Sequence, residues 1–172
     1  YQPQLRLSDG ALIGAEALIR WRSRELGDVS PSDFIPVAEN LGIIRPIGAQ
    51  VLARAARQTE QWGRAQLGGM RIAVNLSMAQ FRANHLAEEL TEIVAGAGLS
   101  PAQVELELTE SMLAEDAERA ERSLRTLHAS GFLLAIDDFG TGYSSMFALQ
   151  RYPLARLKID RSFVKDVGTD AN

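Results

Sequence analysis

The sequence predicts an α/β fold built on a mainly parallel sheet, and three observations predict it. Apolar runs of strand length, such as "RIAV", "VELEL" and "FLLAI", alternate with segments of helical periodicity. Strands that alternate with helices need right-handed crossovers, and these lay the strands parallel. No internal repeat, low-complexity tract or linker interrupts the 172 residues, so they read as one unit.

Taken in order, residues 11–21, "ALIGAEALIRW", read as a strand that is mostly apolar but carries Glu16. "SPSDFIPVAENLG" (30–42) reads as a helix with Ser30 as N-cap, Pro31 at the first helical position, Asp33 in the first turn and Gly42 as terminator. Residues 46–65 place Val51, Leu52, Ala55, Thr59 and Trp62 on one helical face and turn Arg54, Arg57 and Glu60 away from it. "MRIAVNLS" (70–77) is a buried strand, "LAEELTEIVAGAG" (86–98) a helix ended by glycines, and "VELELTE" (104–110) a strand. A helix over 116–131, the strand "FLLAIDD" (132–138), a short helix near 145–151 and the strand "ARLKID" (155–160) follow. Trp62, Phe81 and Phe147 are assigned to the core; His85 and His128 fall on helices away from the strand ends and receive no role.

Composition excludes more than it selects. No stretch approaches the about 18 consecutive apolar residues of a membrane span, and no signal-peptide pattern is present, so a cytoplasmic segment is expected, whether or not the parent protein is membrane-anchored. Zero cysteines remove disulfides and thiolate metal sites. A net charge of −4 speaks against a surface for duplex nucleic acid, which carries a basic stripe.

The informative residues are polar ones set into the strands. Apolar runs end in Glu16, Asn75, Glu107, Asp137 and Lys158, and parallel α/β folds gather the carboxyl ends of their strands at one mouth where ligands bind. Alternation puts Glu105 with Glu107 on one face of their strand, and Lys158 with Asp160 on one face of theirs. Three carboxylates and an amide are hard oxygen donors suited to Mg²⁺ or Mn²⁺, and the adjacent Asp137 and Asp138 suit two ions. Two ions form a clamp for the attacking and leaving oxygens of a phosphoryl group. Each residue alone has a plainer reading: Glu16 or Glu107 as a half-exposed strand residue, Asn75 as a helix cap, Arg20 as a cation over Trp21, "GTG" as a flexible turn. "DFG" at 138–140 lacks the companion motifs of a kinase. Five such coincidences in order are far less credible than one.

These segments also carry a resemblance. "EALIRW" (16–21), "VNLS" (74–77), "ELTES" (107–111), "DDFGTGYSS" (137–145) and "LKIDRSFV" (157–164) together resemble the EAL domain, whose phosphodiesterases hydrolyse cyclic di-GMP to linear pGpG. The resemblance runs over residues 1–172 and implies a (β/α)₈ TIM-like barrel with one antiparallel strand, of which this chain carries about six strands. It implies metal ligation by Glu16, Asn75, Glu107 and Asp137, with Asp138 serving a second ion. It gives Lys158 the attacking water, whose in-line attack opens the diester, and places Asp160 in that water's hydrogen-bond shell. Gln2, Leu18 and Arg20 match positions that contact the dinucleotide, and Glu110 matches one that holds the loop after Asp138. It further implies Mg²⁺ or Mn²⁺ as cofactor with Ca²⁺ inhibitory, a homodimer through that loop, and a GGDEF or sensor domain in the parent protein. Two nearby cations are expected to depress the Lys158 pKa.

The family pattern continues into two further strands, with a glutamate in an "EGVE"-like motif and a glutamine in a "QG" motif, and neither motif occurs here. The expectation is therefore a partial domain, lacking the N-terminal edge and the last strands, with an exposed sixth-strand edge, a hydrophobic interior open to solvent, and weak or no hydrolysis by itself. Gln4 stands where an aliphatic residue is usual, and Met146 where leucine is; both read as harmless. The alternative to an enzyme is an inactive EAL module that binds cyclic di-GMP or a protein partner and transmits a signal.

Overall fold

A computed structural model of the chain describes residues 1–65, 69–114, 116–140 and 150–165. It opens with strands β1 (Gln2–Leu5) and β2 (Leu12–Ala17), then β3 (Trp21–Ser23) and β4 (Gly27–Val29), then helices α1 (Pro31–Asn40) and α2 (Ile44–Arg64). There follow β5 (Arg71–Asn75), α3 (Met78–Phe81), α4 (Leu86–Gly96), β6 (Val104–Thr109), α5 (Glu110–Ala114), α6 (Ala117–Ala129), β7 (Leu133–Phe139) and β8 (Arg156–Ile159). Most of the helix expected near 145–151 lies outside the described residues, as do Phe147 and Met146.

Six strands form one sheet in the order β1-β2-β5-β6-β7-β8, while β3 and β4 form a separate hairpin. β1 runs antiparallel to β2 and every other pair in the large sheet is parallel, as expected of a barrel with one reversed strand. The sheet curls. Arg156 on β8 reaches Gln4 on β1, at the opposite edge, through a 3.0 Å hydrogen bond.

Period-two alternation splits the sheet into two faces. Ile72 and Val74 of β5, Leu106 and Leu108 of β6, and Leu134 and Ile136 of β7 face outward. They are buried in one cluster with Leu52, Ala55 and Ala56 of α2, Leu90 and Val94 of α4, and Leu124 and Leu127 of α6. Each such large aliphatic side chain contributes about 1.5–3 kcal/mol of hydrophobic stabilisation. Toward the carboxyl ends of the strands the inner face is polar or small instead: Gly14 and Glu16, Ala73 and Asn75, Glu105 and Glu107, Ala135 and Asp137, Arg156 and Lys158, with the half-buried Leu133 one layer below. At the mouth of the sheet this corrects the expected hydrophobic interior. The exposed aliphatic residues of β8, Leu157 and Ile159, lie on its outer side.

Local chemistry accounts for the helix ends, with differences from expectation. Ser30 precedes α1, but its hydroxyl pairs with that of Ser32 and makes no cap bond. Asp116 caps α6 by accepting the Arg119 N–H at 3.0 Å. Ser77 and Gln80 form a reciprocal capping box on α3, so capping does not fall to Asn75. The strand expected over 11–21 stops at Ala17, and Trp21 enters the hairpin, where Ser23 Oγ accepts the N–H groups of Glu25 and Leu26 and Gly27 takes φ +71°. Leu18 and Arg20 therefore sit on a connection at the mouth of the sheet. Phe81 is buried as expected, and Trp62 packs against the core edge and meets Tyr1 edge-on at 5.0 Å.

Candidate metal centre

The carboxyl ends of β2, β6 and β7 bring Glu16, Glu107 and Asp137 together, with one oxygen from each lying within 4.8 Å of the others. Lys158 on β8 sits among them. Its Nζ lies 2.6 Å from Glu107 Oε2 and 3.1 Å from both Glu16 Oε2 and Asp137 Oδ2. Asn75 closes the group from β5, its amide nitrogen donating to Glu16 Oε1 at 2.9 Å. Lys158 thus pairs with all three carboxylates of the acidic rim.

Electrostatics follow from this crowding. Glu107 is 1% exposed, and burial pushes its carboxyl up to about 7; the Lys158 ammonium opposes that rise, while the Glu16 and Asp137 charges add to it. Burial works against the Lys158 charge, but the bonds and charges of Glu107 and Asp137 outweigh it and hold the ammonium above its ordinary range. Bound dications would act in the other direction, toward the expected depression. Burial, then the Asp137 and Asp160 charges, raise Asp138.

The donor set fits a hard dication. Glu107 Oε1 is buried with no hydrogen-bond partner among the described residues, a cost that a metal ligand bond would remove. Glu16, Glu107 and Asp137 would hold such an ion, with the Asn75 amide beside them. Asp138 follows directly, with its N–H donating to Asp137 Oδ1 at 3.0 Å and φ at +52°, outside the set of three converging carboxylates.

The other expected residues fall around this centre. Glu110 is buried, and its Oε2 accepts the Gly140 N–H at 3.3 Å, where the chain leaves β7. The Asp160 carboxylate caps the turn after β8, accepting from the backbone N–H of Ser162 at 2.9 Å and from its hydroxyl. Those bonds hold its pKa low. Its backbone N–H meets the Phe139 carbonyl at 3.4 Å. Gln2 pairs with Glu16 in the β1–β2 ladder. Leu18 and Arg20 line an open cleft of about 400 Å³ with Asn75, Gln80, Thr109 and Met112. Arg20 Nη1 is held at 2.8 Å by the Ile19 carbonyl, and Trp21 packs edge-on to Phe34 at 5.6 Å. Sequence reasoning missed a second inner layer, in which Arg156 Nη1 lies 3.2 Å from Glu105 Oε1 as well as meeting Gln4. The spacing that pairs 105 with 107 and 156 with 158 was the available signal.

A curled parallel sheet with hard-metal donors at the carboxyl ends of its strands defines a barrel-type α/β domain with its site at the mouth. The EAL domain profile matches residues 1–172, and the chain belongs to that family. An uncharacterized signaling protein of Caulobacter vibrioides is 46% identical over 167 residues, 97% of this chain and 20% of that protein. MucR of Pseudomonas aeruginosa, named a bifunctional diguanylate cyclase/cyclic di-GMP phosphodiesterase, is 40% identical over 172 residues, 100% of this chain and 25% of MucR. The solved MucR phosphodiesterase, in complex with c-di-GMP, superposes with a TM-score of 0.93 at 40% identity over 99% of this chain and 69% of that one. The chain thus spans a fifth to a quarter of these curated relatives.

Proposed function

We propose that this chain is the metal-dependent hydrolytic module of a cyclic di-GMP phosphodiesterase, producing linear pGpG. The observation that carries the reading is the meeting of Glu16, Glu107, Asp137 and Lys158 from four separate strands at the mouth of the sheet. The likeness to MucR supports the substrate, and the presence of Glu16, Asn75, Glu107, Asp137, Asp138 and Lys158 together supports an enzyme over an inactive receptor.

Glu16, Asn75, Glu107 and Asp137 would hold Mg²⁺ or Mn²⁺, with Asp138 serving a second ion. Bound dications supply Lewis acidity to the phosphate and lower the pKa of a water to near neutrality. The chain's own residues do the rest. Arg20 receives a phosphate at the cleft, while Leu18 and Gln2 border the dinucleotide. Lys158 holds the attacking water in line with the scissile bond, and Asp160 stands at the end of the same strand. Glu110 fixes the start of the loop after Asp138, through which two copies associate. The parent protein carries a GGDEF or sensor domain, and this segment works in the cytoplasm; among the described residues no helix is long and apolar enough to cross a membrane.

The test is the intact protein incubated with cyclic di-GMP and Mg²⁺ or Mn²⁺ and assayed for pGpG. Release of pGpG supports the reading. Nucleotide binding without turnover assigns the protein to the receptor class.

A further inference from the structure

The inner face of the sheet carries a second polar layer just below the carboxylate cluster, and the proposed reaction does not use it. Arg156 Nη1 lies 3.0 Å from Gln4 Oε1 and 3.2 Å from Glu105 Oε1. One guanidinium thereby joins β8 to β1 at the other edge of the sheet and to β6 between them. Glu105 is 1% exposed, and its Oε1 has no hydrogen-bond partner among the described residues, so the Arg156 charge is the foremost compensation, ahead of Arg71 and Lys158.

The layer is shaped for that reach. Its other inner positions are Gly14, Ala73 and Ala135. A Cβ on Gly14 would lie 2.7 Å from the Arg71 carbonyl oxygen and 3.2 Å from Gln4 Oε1, so any side chain there would collide with the strand beside it and press on Gln4. Gln4 supplies the Arg156 guanidinium with an acceptor that an aliphatic side chain would lack.

β8 needs such an anchor. It is a four-residue edge strand of the described sheet, paired to β7 alone. Its ladder is regular at Ala135–Arg156 and Ile136–Leu157, then slips before Phe139–Ile159. The slip falls at Lys158, so the main chain does not register the residue that must meet three carboxylates. Arg156 lies two residues earlier on the same face.

We infer that Arg156 is a positioning residue: tied to Glu105 and Gln4, it sets where the Lys158 ammonium stands relative to Glu16, Glu107 and Asp137. Its kinetic consequence rests on the phosphodiesterase reading; its structural consequence does not. The test therefore uses two readouts on the intact protein: steady-state hydrolysis of cyclic di-GMP with Mn²⁺, and the ¹H–¹⁵N signal of the Lys158 ammonium in chelator, assigned by its loss in K158M.

R156M is expected to lower kcat about tenfold or more with KM within about twofold, and to shift or broaden the ammonium signal. R156K, which keeps the charge, is expected to recover part of both. E105L/R156M removes the stranded carboxylate together with its partner, so its Tm returns toward wild type while kcat stays low. An R156M enzyme with unchanged kcat and an unmoved ammonium signal overturns the inference. So does an E105L/R156M enzyme that regains kcat along with Tm, because the role is then only structural. A wild type that releases no pGpG, with an ammonium signal that R156M still displaces, upholds the positioning and removes the phosphodiesterase reading.

Discussion

Lys158 Nζ stands 2.6 Å from Glu107 Oε2, and the oxygens it bonds belong to the three carboxylates that a divalent ion would take. Ammonium and metal therefore compete for one set of donors. In Lys158→Met, calorimetry is expected to find Mg²⁺ or Mn²⁺ bound at least as tightly as in wild type. Turnover of cyclic di-GMP should nevertheless fall by about 100-fold or more, the scale of a lost proton-handling group. Weaker metal binding with unchanged kcat would take Lys158 out of the chemistry.

Asp137→Asn tests the metal centre from the other side. The substitution keeps the shape but removes the charge of a proposed ligand whose oxygen lies in the cluster. The expected loss of turnover exceeds the about 10–100-fold that outer-shell partners of a metal cost. Because one acidic charge leaves a crowded site, Tm in chelator should hold or rise. Hydrolysis at the wild-type rate would refute the assignment.

The site was legible because its chemistry repeats the same offence in each strand: an ionisable or amide side chain closing an apolar run. Glu16, Asn75, Glu107, Asp137 and Lys158 could be picked out on that ground before any geometry. The parallel sheet followed from the alternation of elements. What the sequence hid depends on distance along the chain. Arg156 and Gln4 are separated by 152 positions, and only the curl of the sheet brings them together. The hairpin of residues 21–29 was hidden by its neighbour, since "LIRW" continues the apolar pattern of β2 past the point where the strand ends.

Glu110 holds the Gly140 N–H, so it governs how the chain leaves Asp137 and Asp138. Glu110→Gln retains an acceptor at that point and Glu110→Ala does not. Steady-state assays are expected to show Glu110→Ala at least about tenfold below Glu110→Gln in kcat. Equal rates in the two variants would mean that the bond to Gly140 does not matter for turnover.

Gly140 is where a backbone constraint meets the site. Its φ is +103°, and a Cβ would lie 2.7 Å from Cε2 of Phe163. Gly140→Ala should cost about 1–3 kcal/mol, read as a lower Tm. Adding Phe163→Ala would relieve the collision but not the dihedral, so the double variant should recover only part of the loss. Full recovery would mean that the clash alone made glycine necessary.

Metal identity offers the sharpest functional separation. The three converging carboxylates come from strands, with Asn75 beside them, and strands cannot spread to accommodate a larger shell as a loop can. Mg²⁺ holds oxygens at about 2.0–2.1 Å in near-octahedral geometry, whereas Ca²⁺ takes six to eight at about 2.3–2.6 Å in a loose arrangement. Under the proposed reading, a displacement of a few tenths of an ångström at each ligand would weaken the placement of the attacking water that Lys158 would hold. Calcium should therefore raise Tm and retain cyclic di-GMP while supporting little hydrolysis, and it should inhibit when added to the magnesium enzyme. Equal rates of pGpG release in calcium and magnesium would show that the rigidity of the strand-borne ligands does not place the water, and would shift the weight of catalysis from the metal centre to the cleft around Arg20.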